Sequence, residues 1–450
     1  DIVGENLSDF SGWSVSLNSN GNILAIGATY NDDGAPEAGH VRVYENILGS
    51  WVQIGQDIDG DTYNDWFGDQ VRLNSSGNRL AISTGYADAN GYDAGLVKIF
   101  EYDGNTWTQI GNTIFGNQAN DNFGHGLSFS SNGNIVAIGA PAGSNSGYVK
   151  IFNWDGVSWN QIGSTLFEQN GGDHFGEEIS LSSDGNIIAV SSPTSNDNGT
   201  NSGHVSIYEN ALGNWTQIGQ DIEGDSSGDF FGWSITLNSD GTTLAIGSVY
   251  YNSGSGLVRI YDYHSGVWNQ IGQDIIGAGG SFSESISLSS DGYILAVGCP
   301  SSGINNEGQV FIYNNITGNE FINSHIIDGE LQSERFGKSI SLDSSGNIIA
   351  IGADDYLYPQ NINEGETRVF GVQTPCSDLG CLDPLALNFD PYATVDDSSC
   401  VYPIYGCIDS LASNYNSLAN ISDSSCTYCY TIADIIPDTI YACDSVEICI

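Results

Sequence analysis

The sequence predicts an all-β protein: a seven-bladed β-propeller of four-stranded antiparallel blades, with a small disulfide-rich tail at the C-terminal end. Three observations predict it. One phrase, FGWSITLNSDGTTLAIG at 231–247, occurs in seven versions along the 450 residues, with its glycine at Gly12, Gly68, Gly124, Gly176, Gly232 and Gly337 and Ser283 in its place in the sixth. The unit is therefore 51 to 56 residues long (Gly232 to Ser283, Gly12 to Gly68), a period that signals propellers and repeat arrays. Each complete unit holds four short apolar segments punctuated by Gly, Asn and Ser. Eight of the nine cysteines fall between Cys376 and Cys449.

Within a unit the first segment alternates, as in Ser14-Val15-Ser16-Leu17, which suits a half-buried strand. A turn such as Asn18-Ser19-Asn20-Gly21 or Ser182-Ser183-Asp184-Gly185 follows, its glycine supplying the positive φ of a tight hairpin. The second segment is continuously apolar, as in Ile23-Leu24-Ala25-Ile26 or Ile348-Ile349-Ala350-Ile351, so it is expected to be buried on both faces. After a variable loop comes a third strand, typified by His40-Val41-Arg42-Val43-Tyr44. The fourth carries Trp-x-Gln-Ile-Gly, beginning at Trp51, Trp107, Trp159, Trp215 and Trp268. Four short strands cannot bury their own faces, and radial stacking against two neighbours does. The recurrent Phe and Trp are read as wedges between blades. Asp1-Ile2 aligns with Asp57-Ile58, and the seventh unit ends after its third strand, 367–372. The missing fourth strand is thus expected upstream of Asp1, with Asp1-Ile2 at its end, closing the ring and removing an exposed edge.

Asp and Glu number 55 against 9 Lys and Arg, a formal charge of −46. Nucleic acid is excluded as a partner, because phosphate binding needs a basic face. No segment has the ~18 apolar residues of a membrane span, so no membrane insertion is expected. The dense cysteines point to an oxidising, secreted or cell-surface location.

The Phe-Gly openings, as in Phe123-Gly124 and Phe336-Gly337, and the exits Gly139-Ala140-Pro141, Gly298-Cys299-Pro300 and Ser191-Ser192-Pro193 resemble the FG-GAP family of integrin-α-like propellers over residues 1–372. That resemblance implies a recognition or adhesion scaffold. The family's calcium loop is not carried over, since Asn18–Asn22 and Ser182–Asn186 offer at most one carboxylate. In the tail, Gly380-Cys381 to Ser399-Cys400 repeats 26 residues later as Gly406-Cys407 to Ser425-Cys426. It resembles cysteine repeats of Bacteroidetes surface proteins. Residues 439–446 resemble the start of an Ig-like repeat. The domains are therefore read as 1–372 propeller, 373–428 two cysteine repeats (about 380–402 and 406–428), and 429–450 the beginning of a truncated Ig-like module in a larger parent polypeptide.

Acids gather in the loops between blades: Asp57, Asp59, Asp61 and Asp65, and three blades on Asp221, Glu223, Asp225 and Asp229. Alternate carboxylates can wrap calcium, which makes calcium the cofactor to consider; a solvated acidic rim is the competing reading. Asp383, Asp396 and Asp397 form a further candidate cation group in the tail, against a turn role for Asp383. Repeat symmetry alone suggests disulfides Cys381–Cys400 and Cys407–Cys426 among the 105 pairings that eight cysteines allow. His174 could work with Asp173 and Glu177 in acid/base chemistry; His40 and His204 share one repeat position, which argues for a structural role. No zinc-protease, phosphate-loop or nucleophile-elbow motif occurs. The expectation is a non-enzyme: an extracellular module binding protein or glycan through loops such as Tyr30–Gly39 and Thr194–Gly203. The alternatives are a polysaccharide-acting enzyme with channel carboxylates, or a passive spacer.

Overall fold

The computed structural model describes the chain apart from residues 144–145, 169–171, 316–319, 355–363, 373–378, 381–382, 384–385, 387–394, 397–399, 432–446 and 450. The chain divides into two compact units, Asp1–Val372 and Gln373–Ile450.

The first unit is a seven-bladed propeller. The first blade runs Ser11–Leu17, Ile23–Ala28, His40–Ile47 and Ser50–Gln53, each strand antiparallel to the one before. Five further blades repeat this order, ending with the sixth at Phe321–Asp328. The seventh takes Ser339–Leu342, Ile348–Ala353 and Glu366–Gly371, and its fourth position is filled by Ile2–Val3, paired Ile2 to Thr367 and Val3 to Glu366. Closure from the N-terminal side is thus as expected, with the pairing made by Ile2–Val3 themselves. The second strand is buried from its second residue onward in every blade, which is why that segment reads as an unbroken apolar run.

The fourth-strand motif is explained by its neighbour. Trp107 Nε1 donates to the Ile54 carbonyl of the preceding blade (3.1 Å), and Trp159, Trp215 and Trp268 do the same to Ile110, Ile162 and Ile218. A Cβ at Gly55 would lie 2.6 Å from the Trp107 ring, so the glycine of one blade makes room for the indole of the next. The opening glycines have φ between 91° and 106°, and Ser283 holds the same left-handed backbone at 72°.

First strands face the axis. Residues from six of them, with their following turns, line one common cavity: Leu17, Leu73, Phe129, Leu181, Leu288 and Leu342. At this end the hairpin turns join in a circle of backbone hydrogen bonds, Ser19→Ser75→Ser131→Ser183→Ser239→Ser290→Ser344→Ser19, at 2.8–3.1 Å. Among the described residues, no helix is long and apolar enough to cross a membrane.

In the second unit each cysteine repeat makes a two-residue parallel pair, Leu379–Gly380 with Val395–Asp396 and Tyr405–Gly406 with Ile421–Ser422. Cys407 and Cys426 form a disulfide. Cys400 is also disulfide-bonded, while Cys381 lies outside the described residues. Cys429–Thr431 pairs with Glu447–Cys449; most of the segment expected to begin an Ig-like module lies outside the described residues.

Candidate functional site at the axial mouth

The residue after each opening glycine breaks the repeat. In blade order it is Trp13, Asp69, His125, Glu177, Trp233, Glu284 and Lys338. The left-handed glycine turns the chain into the first strand, so this position is set around the start of the axial channel. Trp13, Gln70, Arg72, Glu178, Glu284 and Lys338 line a shared cavity there.

The side chains are cross-linked between blades. Trp13 Nε1 donates to Asp69 Oδ1 (2.9 Å), and Lys338 Nζ donates to Glu284 Oε1 (2.8 Å) while lying 5.4 Å from the Trp13 ring centre. His125 and His174 both face Glu177, at 3.9 and 3.5 Å. Burial pushes the Glu178 carboxyl up to about 7, with Arg72 and His125 opposing and Glu177 and Asp69 adding to the rise. Burial likewise raises Asp69. For Glu177 burial acts upward, but His125 and His174 outweigh it and hold the carboxyl below its ordinary value. Two histidines, three carboxylates and Arg72 thus interact electrostatically in one partly buried region, with His174 at its exposed side, where charges of opposite sign select each other's protonation state.

Aromatic rings border this mouth. Phe10, Tyr30, Trp66 and Tyr86 form a row with successive centres 4.7, 4.9 and 4.5 Å apart. Its end reaches the charged group: burial, then Asp69, pushes the Tyr86 hydroxyl up to about 12. Across the ring Phe230, Trp233 and Tyr250 make a second cluster, with centres 5.1–6.3 Å apart. Of this site, sequence reasoning had singled out His174, Asp173 and Glu177. The missed signal was the one position where seven otherwise similar phrases disagree in chemistry.

The acids between blades serve different ends. Asp65 and Asp229 are buried, three residues before the opening glycine, where other blades have Asp9, Asp121, Asp173 and Glu334. At two of these positions the carboxylate caps its own loop: Asp121 Oδ2 accepts from the amides of Asn117 and Gln118 and from the Tyr148 hydroxyl (2.9, 3.1 and 2.7 Å), and Glu334 Oε2 accepts from the amides of Glu330 and Leu331. Asp61 pairs with Lys98 and Asp225 with Arg259, both at 2.5 Å. Arg42, Lys98, Lys150, Arg259 and Arg368, five of the chain's nine basic residues, occupy this one position on the third strand. Asp59 and Glu223 are exposed on their strands. Asp221 accepts from Ser206 and Gln217 (2.5 and 2.6 Å). Asp57 alone among these acids joins a converging group of possible metal ligands, with Glu5, Asp33 and His40.

In the tail, Asp383 accepts from the Tyr402 hydroxyl (2.9 Å) and its carbonyl accepts from the Ala386 amide. Asp409 repeats both contacts with Tyr428 and Ala412. Asp383 is therefore a turn residue held by a tyrosine of its own repeat. The Asp396 side chain and Asp397 lie outside the described residues.

The model of the FG-GAP repeat matches residues 168–208. That stretch spans the opening Phe175-Gly176 and the first three strands of the fourth blade. No curated protein matches the chain. Matching chains of solved structures number 638, so the architecture is common and decides little about activity. Hydrazine synthase of Kuenenia stuttgartiensis is similar in fold, with a TM-score of 0.55 and 11% identity over 83% of this chain and 98% of that one. A candidate 6-phosphogluconolactonase from Bacteroides uniformis is similar with a TM-score of 0.53 and 13% identity, over 72% of this chain and 87% of that one. At these identities the likeness concerns the fold, and an FG-GAP-type propeller is compatible with a binding module.

Proposed function

We propose that the chain is an extracellular recognition module that binds a glycan at the axial mouth. The observation that carries this reading is the repeat-breaking ring after the opening glycines, flanked by the aromatic row ending at Tyr86. Sugar rings offer apolar C–H faces that lie against aromatic rings, and hydroxyls that bond to carboxylates and indole N–H groups; Trp13, Trp233, Asp69, Glu177 and Glu284 supply both kinds of contact. The tail disulfide and the acidic composition support an extracellular setting. The test is a combined glycan and protein array probed with the full chain and its Trp13→Ala and Trp233→Ala variants. Retention of a glycan class, weakened at least about tenfold in either variant (~1.4 kcal/mol), is expected. Retention of protein ligands alone, or glycan binding indifferent to both substitutions, overturns the proposal.

One observation favours the enzyme reading as well. Glu178, whose carboxyl burial pushes up to about 7, stands beside Glu177, which His125 and His174 hold below its ordinary value; carboxyls with separated pKa values are what glycoside hydrolysis uses. Release of reducing ends from the retained glycan, abolished in Glu178→Gln, would establish it; an intact glycan after prolonged incubation would exclude it.

A further inference from the structure

We infer that Glu5, Asp33, His40 and Asp57 form a site for one divalent transition-metal ion of the zinc type, at the seam where the propeller closes. One ligand atom from each of these residues lies within 4.8 Å of all the others. The four come from separate segments. Glu5 follows the closing strand Ile2–Val3, which belongs to the seventh blade's sheet. Asp33 lies in the loop after the first blade's second strand, His40 opens its third strand, and Asp57 precedes Ile58–Asp59, which pairs back onto Val41 and His40. An ion here would tie the closing strand's continuation to the first blade.

A second observation points the same way. His40 is 1% exposed, and its Nδ1 is buried without a hydrogen-bond partner. Buried polar groups are rarely left unpaired, and an imidazole beside three carboxylates is a ligand awaiting a cation. The donor chemistry selects the metal. Calcium takes six to eight oxygens; zinc takes four donors of mixed nitrogen and oxygen, at about 2.0–2.2 Å. Glu5 and Asp33 are exposed and have room to draw inward. Outer partners are in place, as metal ligands require: Gln53 Nε2 donates to Asp57 Oδ1 (2.5 Å), and Asn31 Nδ2 lies 3.5 Å from Asp33 Oδ2. Glu5 is 3.3 Å from Arg42 Nη1, a contact that metal ligation would replace, while Arg42 also bonds to the Val3 carbonyl (3.2 Å).

The fourth blade supplies an internal comparison. Asp197, His204 and Asp221 repeat the spacing of Asp33, His40 and Asp57, 7 and then 17 residues apart. There Nε2 lies 3.2 Å from Glu168 in a hydrogen bond, Nδ1 lies 3.2 Å from Asp197 without making one, and Asp221 accepts from Gln217, as Asp57 does from Gln53, and from Ser206 as well. The fourth-blade imidazole is thus held by Glu168 through Nε2, a contact that the His40 ring lacks among the described residues.

The experiment titrates the chelator-treated full chain with Zn²⁺ by calorimetry and with Co²⁺ by visible absorption, alongside His40→Ala, Glu5→Gln and His204→Ala. The expected result is one tight equivalent, a Co²⁺ spectrum with nitrogen ligation, and a melting temperature that rises with metal. Loss of a ligand in His40→Ala or Glu5→Gln should weaken binding by more than the ~10–100-fold typical of an outer-shell change, with His204→Ala unaltered. Glu5 is exposed, so that variant remains informative if His40→Ala fails to fold. Absence of a tight equivalent, binding that survives Glu5→Gln, a site lost in His204→Ala, or preference for Ca²⁺ over Zn²⁺ overturns the inference.

Discussion

The amide of Ser344 in the seventh blade donates to the carbonyl of Ser19 in the first, at 3.0 Å. This bond completes a circle in which every hairpin turn holds the next, so the ring is closed at the axis as well as by Ile2–Val3 at its rim. Ser19→Pro removes the donor to Ser75 and strands that acceptor. A loss of about 1–3 kcal/mol is expected, read by denaturant unfolding; an unchanged midpoint would show the circle to be incidental.

Trp107 carries both packing and a hydrogen bond between blades. Trp107→Ala should cost about 3–5 kcal/mol. Trp107→Phe keeps most of the apolar area and loses the bond to Ile54, for about 0.5–1.5 kcal/mol. Comparable losses in the two variants would contradict this division.

The opening turn predicts an asymmetry. Gly176→Ala forces a side chain onto a φ of 91° and places its Cβ 2.9 Å from Val149 Cγ2, so a loss above about 1 kcal/mol is expected. Ser283→Gly relieves the left-handed backbone by about 1–2 kcal/mol. It also removes the hydroxyl that accepts from the Ser248 amide (3.1 Å), worth about 0.5–1.5 kcal/mol. The two effects oppose, so Ser283→Gly should be close to neutral in thermal unfolding, and a large change either way would refute the balance.

Glu178 predicts a pH dependence. Its folded pKa, about 7 against an ordinary 4.5, means that the folded chain holds this proton more tightly than the unfolded one. Its contribution to stability is therefore full below pH 4.5 and is lost as pH rises toward 7. Glu178→Gln should stabilise the protein at pH 8 and change little at pH 4. Because Arg72 lowers this pKa, Arg72→Met should move the Glu178 titration upward in carboxyl-resolved NMR; a downward move would contradict the assigned cause.

Much of the scaffold was legible because its determinants are local and repeated. The tryptophan and glycine of the fourth strand recur in five units, as at Trp107 and Gly55, and Ile23–Ala28 reads as buried without knowing its neighbours. The candidate site was less legible. Asp65 and Asp229 look like metal-loop acids in the chain; the structure buries both at the repeat position where Asp121 and Glu334 accept loop amides, a kinship that the chain alone does not show. His40 reads as an ordinary repeat position, because nothing in one dimension brings Glu5 to it.

The sequence by itself determined the number of blades, the strand order within each and the terminus that completes the ring, since strand period, turn chemistry and repeat register act over a few residues. Only the tertiary structure decided that Trp13, Asp69, Glu177, Glu284 and Lys338 share one mouth, and that Glu5, Asp33, His40 and Asp57 converge at the seam. Those meetings are set by ring closure and radial stacking. These place residues tens to hundreds of positions apart within ångströms, and their energies depend on neighbours that the repeat phrase does not encode.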